Sequence, residues 1–227
     1  MKRSHLAHGK LLEGVLKRIF GSAAEARKLN GERALQCLMY KTFLDEALGP
    51  YRQLLVEPRI NSDGGDGTSH HKRPDLILAT NRDASGDGLI DICLELKFLP
   101  WGHAEFERDI EKLSGYMRAA KLELRYEFDP AQGTRACLRE YRADQETLWA
   151  FVAVGQDTSA VASPESMVTQ LSKRVAEGRI SRATTWDRMT AACFVAAGTI
   201  DKKAPNGPKF WIADLGNPRS AKVFPVG

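Results

Sequence analysis

The chain has 227 residues, 43% hydrophobic and 27% charged, which is an ordinary globular composition with enough apolar material for one large core. No apolar run approaches the roughly 18–20 residues that a membrane-spanning helix needs. The opening Met1-Lys2-Arg3-Ser4-His5 leads into an amphipathic stretch rather than a signal-peptide core, so a cytoplasmic address is expected. A net charge of +4 is too small by itself to mark a polyanion binder, but it is unevenly spread. Residues 1–28 carry a local +5 and residues 165–227 another +5, so the middle is about −6. Basic flanks around a carboxylate-rich centre suit a phosphodiester substrate with a divalent cation, although solvated charged faces give the same count. Cys37, Cys93, Cys137 and Cys193 form no close pair, and they read as free thiols rather than a zinc or redox motif.

In chain order, Leu6, Leu11, Leu12, Val15, Leu16, Ile19 and Phe20 recur at helical spacing and predict a helix over residues 5–20 that ends at Gly21. A second helix is expected from Asn30 as N-cap to Gly49-Pro50. Residues 53–60 read as one strand, and residues 61–73 read as a polar loop rich in glycine. Two apolar runs, residues 74–80 and 89–98, are separated by a turn-rich segment and predict an antiparallel hairpin.

A third helix is expected over 104–120, with Phe106, Ile110, Leu113 and Met117 as its buried stripe. Residues 122–142 are ambiguous and could form two exposed strands. Thr147 to Val154 is apolar almost throughout, as an interior strand would be. Ser163-Pro164 opens a helix to about Glu177, with Ser163 as N-cap. Late strands are expected over 191–200 and 210–214. The order predicts an α/β fold, a mixed sheet with helices on its faces. Residues 1–29 then form an N-terminal helical extension, 30–178 the core, and 179–227 a basic C-terminal extension packed on it.

Period-two alternation places Leu89, Asp91, Cys93, Glu95 and Lys97 on one face of the strand, with Ile90, Ile92, Leu94, Leu96 and Phe98 on the other. Glu95 and Lys97 therefore project together, about 7 Å apart. Pairing across the hairpin sets Asp75 near the level of Glu95 or beyond it toward Lys97. Asp75, Glu95 and the Leu96 carbonyl can supply the oxygen ligands that magnesium requires. Lys97 beside such an ion can orient a water or stabilise its hydroxide.

Pro74-Asp75 followed after nineteen residues by Glu95-Leu96-Lys97, between a helix carrying a glutamate and an amphipathic helix, resembles the PD-(D/E)XK nuclease superfamily over roughly residues 30–178. The resemblance implies a restriction-endonuclease-like αβββαβ core and a nuclease that cleaves DNA with Mg2+, for which Mn2+ would substitute. Asp75 and Glu95 would be metal ligands, Lys97 the water-positioning lysine, and Glu32 the additional glutamate from the first core helix. Glu46 and Glu57 remain alternatives to Glu32. Asp109, Lys112 and Tyr116 share a stripe on the third helix, from which Lys112 could touch a phosphate. Lys72 and Arg73, beside His70 and His71, could contact DNA backbone. His103 has no recognisable partner, and Asp63 and Asp66 do not match a calcium loop. An inactive nuclease-fold module that binds nucleic acid, a protein adaptor and a homodimer all fit the same letters.

Overall fold

The computed structural model describes residues 3–21, 29–47, 49, 52–62, 73–81, 88–99, 106–118, 122–125, 138–156, 161–179, 188–196 and 208–226. Its elements run α1 (Arg3–Phe20), α2 (Glu32–Ala47), β1 (Arg52–Val56), β2 (Arg59–Ser62), β3 (Leu76–Asn81), β4 (Gly88–Leu99), α3 (Glu107–Arg118), β5 (Leu122–Arg125), β6 (Leu138–Arg142), β7 (Leu148–Gln156), α4 (Pro164–Ala176), β8 (Met189–Ala196), β9 (Lys209–Asp214) and β10 (Asn217–Pro225).

Among the described residues, all ten strands join one mixed, mostly antiparallel sheet. β4 is its interior axis. It pairs antiparallel with β3, which pairs in turn with β1, and parallel with β7 along the other edge. β8, β9 and β10 continue outward from β7. The start of β4 pairs with β6, from which β5 and β2 extend.

Two apolar layers follow from the alternation. On β7, Trp149, Phe151 and Ala153 join Phe106, Ile110, Leu113 and Tyr116 beneath α3 and Met167 and Leu171 of α4. Leu148, Ala150, Val152 and Val154 join Leu12, Leu16 and Phe20 of α1 and Leu35, Met39 and Phe43 of α2. A strand covered on both faces reads as a continuous apolar run, which is why β7 is legible without periodicity. α1 belongs to the same core as α2, and Phe20 stacks on Phe194 of β8 with ring centroids 5.0 Å apart.

Local chemistry explains most boundaries. Gly21 ends α1, its N–H donating to the Lys17 carbonyl at 2.8 Å. The Ser163 hydroxyl accepts from the Ser166 N–H at the start of α4, with Pro164 in the first position. Gly88 begins β4 where a Cβ would fall 2.5 Å from the Thr80 carbonyl oxygen, so only glycine permits that approach.

Three expectations require correction. The strand expected over 53–60 breaks at Glu57, whose φ of 45° turns the chain, and its halves pair with different partners, β3 and β5. β4 carries a register shift opposite Leu78 and Ala79, which leaves Asp91 as an extra residue. Ile90 therefore shares the core beneath α3 with Cys93, and strict alternation holds only from Ile92 onward. The late strand expected over 191–200 begins earlier, at Met189, with Ala196 its last described residue. β10 follows the turn at Leu215-Gly216, beyond the last strand that the sequence predicts. No described helix is long and apolar enough to cross a membrane.

Candidate functional site

The β3–β4 register fixes the first two groups. Leu76 lies opposite Leu94, where the ladder of β3 with β4 ends, and Asp75 comes immediately before it. The Asp75 N–H donates to the Leu94 carbonyl at 3.1 Å, and its Oδ2 accepts from the Leu96 N–H at 2.6 Å. A short, charge-assisted bond to a backbone amide locks the carboxylate beside Glu95. Because β4 is interior, Glu95 is not on a solvated edge, and its residue exposure is only 1%.

The face that carries Glu95 is roofed by α3. Asp109, Lys112 and Tyr116 stand three and four residues apart, so they form one stripe facing the strand. Lys112 Nζ lies 2.7 Å from Glu95 Oε2, and Lys97 Nζ reaches Asp109 Oδ2 at 3.3 Å. Lys112 therefore contacts a carboxylate of the site directly. Glu95 Oε1 and the Tyr116 hydroxyl are buried without a hydrogen-bond partner among the described residues. A polar atom left bare in a closed environment is costly unless something else fills its coordination.

From the opposite layer α2 approaches Asp75 with Glu32 in its first turn and Gln36 one turn later. The Gln36 amide donates to the Asp75 carbonyl at 3.1 Å and reaches Glu57 Oε1 at 3.4 Å. Glu32 is close enough for its charge to act on Asp75. Glu46 instead pairs with Arg18 at 2.7 Å, far along the helix from this end. Glu57 touches Gln36, whereas Glu32 acts on Asp75 itself. Gln36 was not singled out from sequence, although its position four residues after Glu32 is the signal that could have found it.

Burial is the largest influence on both central carboxyls. It raises Asp75 above the usual carboxylate range; the Leu96 N–H and Lys112 pull it back, and the charges of Glu32 and Asp109 push it further up. Glu95 is raised well above its ordinary value by burial and then by Asp75, against the pull of Lys112. The Tyr116 hydroxyl is raised as well, by burial first and then by the Glu95 charge, so it stays protonated and can donate.

Asp75, Glu95 and Asp109 gather with two ammonium groups, Lys97 and Lys112, and Glu32 acts on Asp75 from the side of α2, four acidic groups against two cations. The formal balance of −2 is what one divalent cation cancels. Among the described residues no three or more histidine, cysteine, aspartate or glutamate side chains close into a ready-made metal cage. Magnesium does not need one, since one or two carboxylates with water and phosphate oxygens suffice. The bare Glu95 oxygen beside a fixed Asp75 fits that donor set.

Among the remaining candidates, Arg73 is exposed. Lys72, His70, His71, His103, Asp63, Asp66 and Cys137 lie outside the described residues. Cys37, Cys93 and Cys193 are free thiols, the last two buried. The bulge carries Asp91 away from the Glu95 face, correcting the alternation above. Its carboxylate accepts from the Thr80 hydroxyl at 2.6 Å and lies 3.7 Å from His8 Nε2 and 3.6 Å from Arg52 Nε, which ties α1 to the sheet. No family model matches the chain, and no curated protein or solved structure matches it.

Proposed function

We propose that this protein is a nuclease of PD-(D/E)XK type that hydrolyses DNA phosphodiester bonds with magnesium, Asp75 and Glu95 holding the cation. The observation that carries this reading is the Asp75 carboxylate held on the Leu96 N–H close enough to act on Glu95, whose Oε1 atom is buried with no hydrogen-bond partner among the described residues. The order α2-β1-β3-β4-α3-β7, with strands adjacent as β1-β3-β4-β7 and only the last pair parallel, supports the αβββαβ core. A cytoplasmic location belongs to the same reading, and cutting both strands of a duplex would favour two copies of the chain.

Asp75, Glu95 and the Leu96 carbonyl would hold Mg2+ or Mn2+. Once bound, the ion supplies positive charge to the scissile phosphate and lowers the pKa of a bound water. The chain's own groups do the rest. The Leu96 N–H orients Asp75, and Gln36 braces the backbone that carries it. Lys97 and Lys112 supply the ammonium charge that steadies an attacking water and the developing phosphorane oxygens. Burial beneath α3 keeps bulk water from screening these charges. The basic termini add sequence-independent attraction for the DNA backbone.

The test is cleavage of supercoiled and linear DNA with Mg2+ or Mn2+, comparing wild type with Asp75→Asn, Glu95→Gln and Lys97→Ala. Loss of cleavage in the carboxylate variants is expected, and equal activity in all four proteins refutes the reading. Near-complete burial of Glu95 against Lys112 favours a second reading, a nuclease fold that binds nucleic acid without turnover. That reading requires salt-sensitive DNA binding with no metal-dependent cleavage.

A further inference from the structure

The two oxygens of Glu95 are unequal. Oε2 is 2.7 Å from Lys112 Nζ, while Oε1 has no hydrogen-bond partner among the described residues. The carboxylate has almost no contact with solvent, so its charge depends on a nearby cation. The ammonium serving it hangs from a flexible four-carbon stem whose side chain is 26% exposed. Part of the Lys112 side chain thus reaches solvent while its ammonium lies on Glu95. A divalent ion brought to Asp75 and Glu95 would repel an ammonium on the same carboxylate, and the stem gives that ammonium an exit toward solvent. The Lys97 ammonium sits with Asp109, which leaves that partner already served when Lys112 moves. An incoming phosphodiester is the anion that would receive the released charge.

We propose that the Lys112 ammonium holds the cation's place on Glu95 in the metal-free protein and passes to the substrate phosphate when the cation binds. The proposal rests on the nuclease reading and adds a coupling to it. Metal alone must compete with a tethered cation, whereas metal and phosphodiester together leave every charge served. Lys112 then touches the substrate and makes the two ligands bind cooperatively, and the coupling is reciprocal by linkage.

Lysine accessibility tests this directly on the full chain. Reductive methylation followed by peptide mass spectrometry is run without divalent ions and with Mg2+, using exposed Lys41 as the reference. Lys112 should label about threefold faster or more with Mg2+ while Lys41 is unchanged, a modest coupling by the usual scale. Calorimetry on the same samples reports whether Mg2+ binds. Mg2+ binding with Lys112 labelling unchanged or slower overturns the proposal and leaves the nuclease reading standing. No Mg2+ binding overturns both. As a second measurement, a short DNA oligonucleotide should tighten Mg2+ binding less in Lys112→Met than in wild type, by about threefold. Equal tightening in the two proteins also overturns the proposal.

Discussion

Asp75 has two jobs that substitution can separate. Its Oδ2 accepts the Leu96 N–H at 2.6 Å, and its charge lies beside buried Glu95. In Asp75→Ala the Leu96 amide loses a charged acceptor, a loss of about 1.5–3 kcal/mol. For a chain of this length that lowers Tm by about 3–12 °C. Asp75→Asn keeps an oxygen for the same amide and removes the repulsion that raises Glu95, so its metal-free stability should stay within about 1 kcal/mol of wild type. Both variants lose a full ligand charge, and both should lose Mg2+ binding and cleavage. The assays are thermal and urea denaturation without divalent ions, calorimetric Mg2+ titration and plasmid cleavage. The reasoning is refuted if Asp75→Ala is as stable as wild type, or if Asp75→Asn retains full metal-dependent activity.

Because Asp75 and Glu95 are both raised, the native metal-free state holds more protons than the unfolded chain above about pH 4. Stability contributed by their neutral forms is therefore lost as pH rises through the native values, and Mg2+ affinity improves over the same interval. Denaturation of wild type and Glu95→Gln from about pH 5 to 8 should show a shallower decline in the variant; identical profiles contradict this. Asp91→Ala should destabilise by about 1.5–3 kcal/mol, since it removes the charged acceptor of the Thr80 hydroxyl and the carboxylate beside His8 and Arg52. The change lies about 13 Å along β4 from Glu95, so Mg2+ affinity by calorimetry should be unaffected. Phe20→Ala removes a ring stacked on Phe194 and near Phe210, with centroids 5.0 and 6.0 Å away. Its cost should be about 3–5 kcal/mol in urea denaturation, and a value below about 1 would show that α1 does not share the core.

What the letters revealed follows from which forces are local. The antiparallel pairing of β3 with β4 was readable because turn-rich residues between two apolar runs mark a hairpin. β7 and the capped start of α4 were readable for equally local reasons. The bulge at Asp91 was not, because one extra residue changes the faces without changing composition. Glu57 and Pro58 form a break within an otherwise strand-like run, and only tertiary pairing reveals that β1 and β2 part there. β10 was hidden by Pro218, Arg219, Lys222 and Pro225, residues that suit a guarded sheet edge and read as loop. Helical spacing put Asp109, Lys112 and Tyr116 on one stripe, but it could not tell which lysine meets Glu95. That depends on how α3 crosses β4, which no local pattern encodes.

The central claim is that Asp75 and Glu95 hold a divalent cation together. Anomalous scattering from a crystal grown or soaked with Mn2+ reads this without any assay of turnover. One peak within ligand distance of both carboxylates is the expected result. A protein that takes up manganese elsewhere, or leaves this pair empty at saturating metal, would contradict the account.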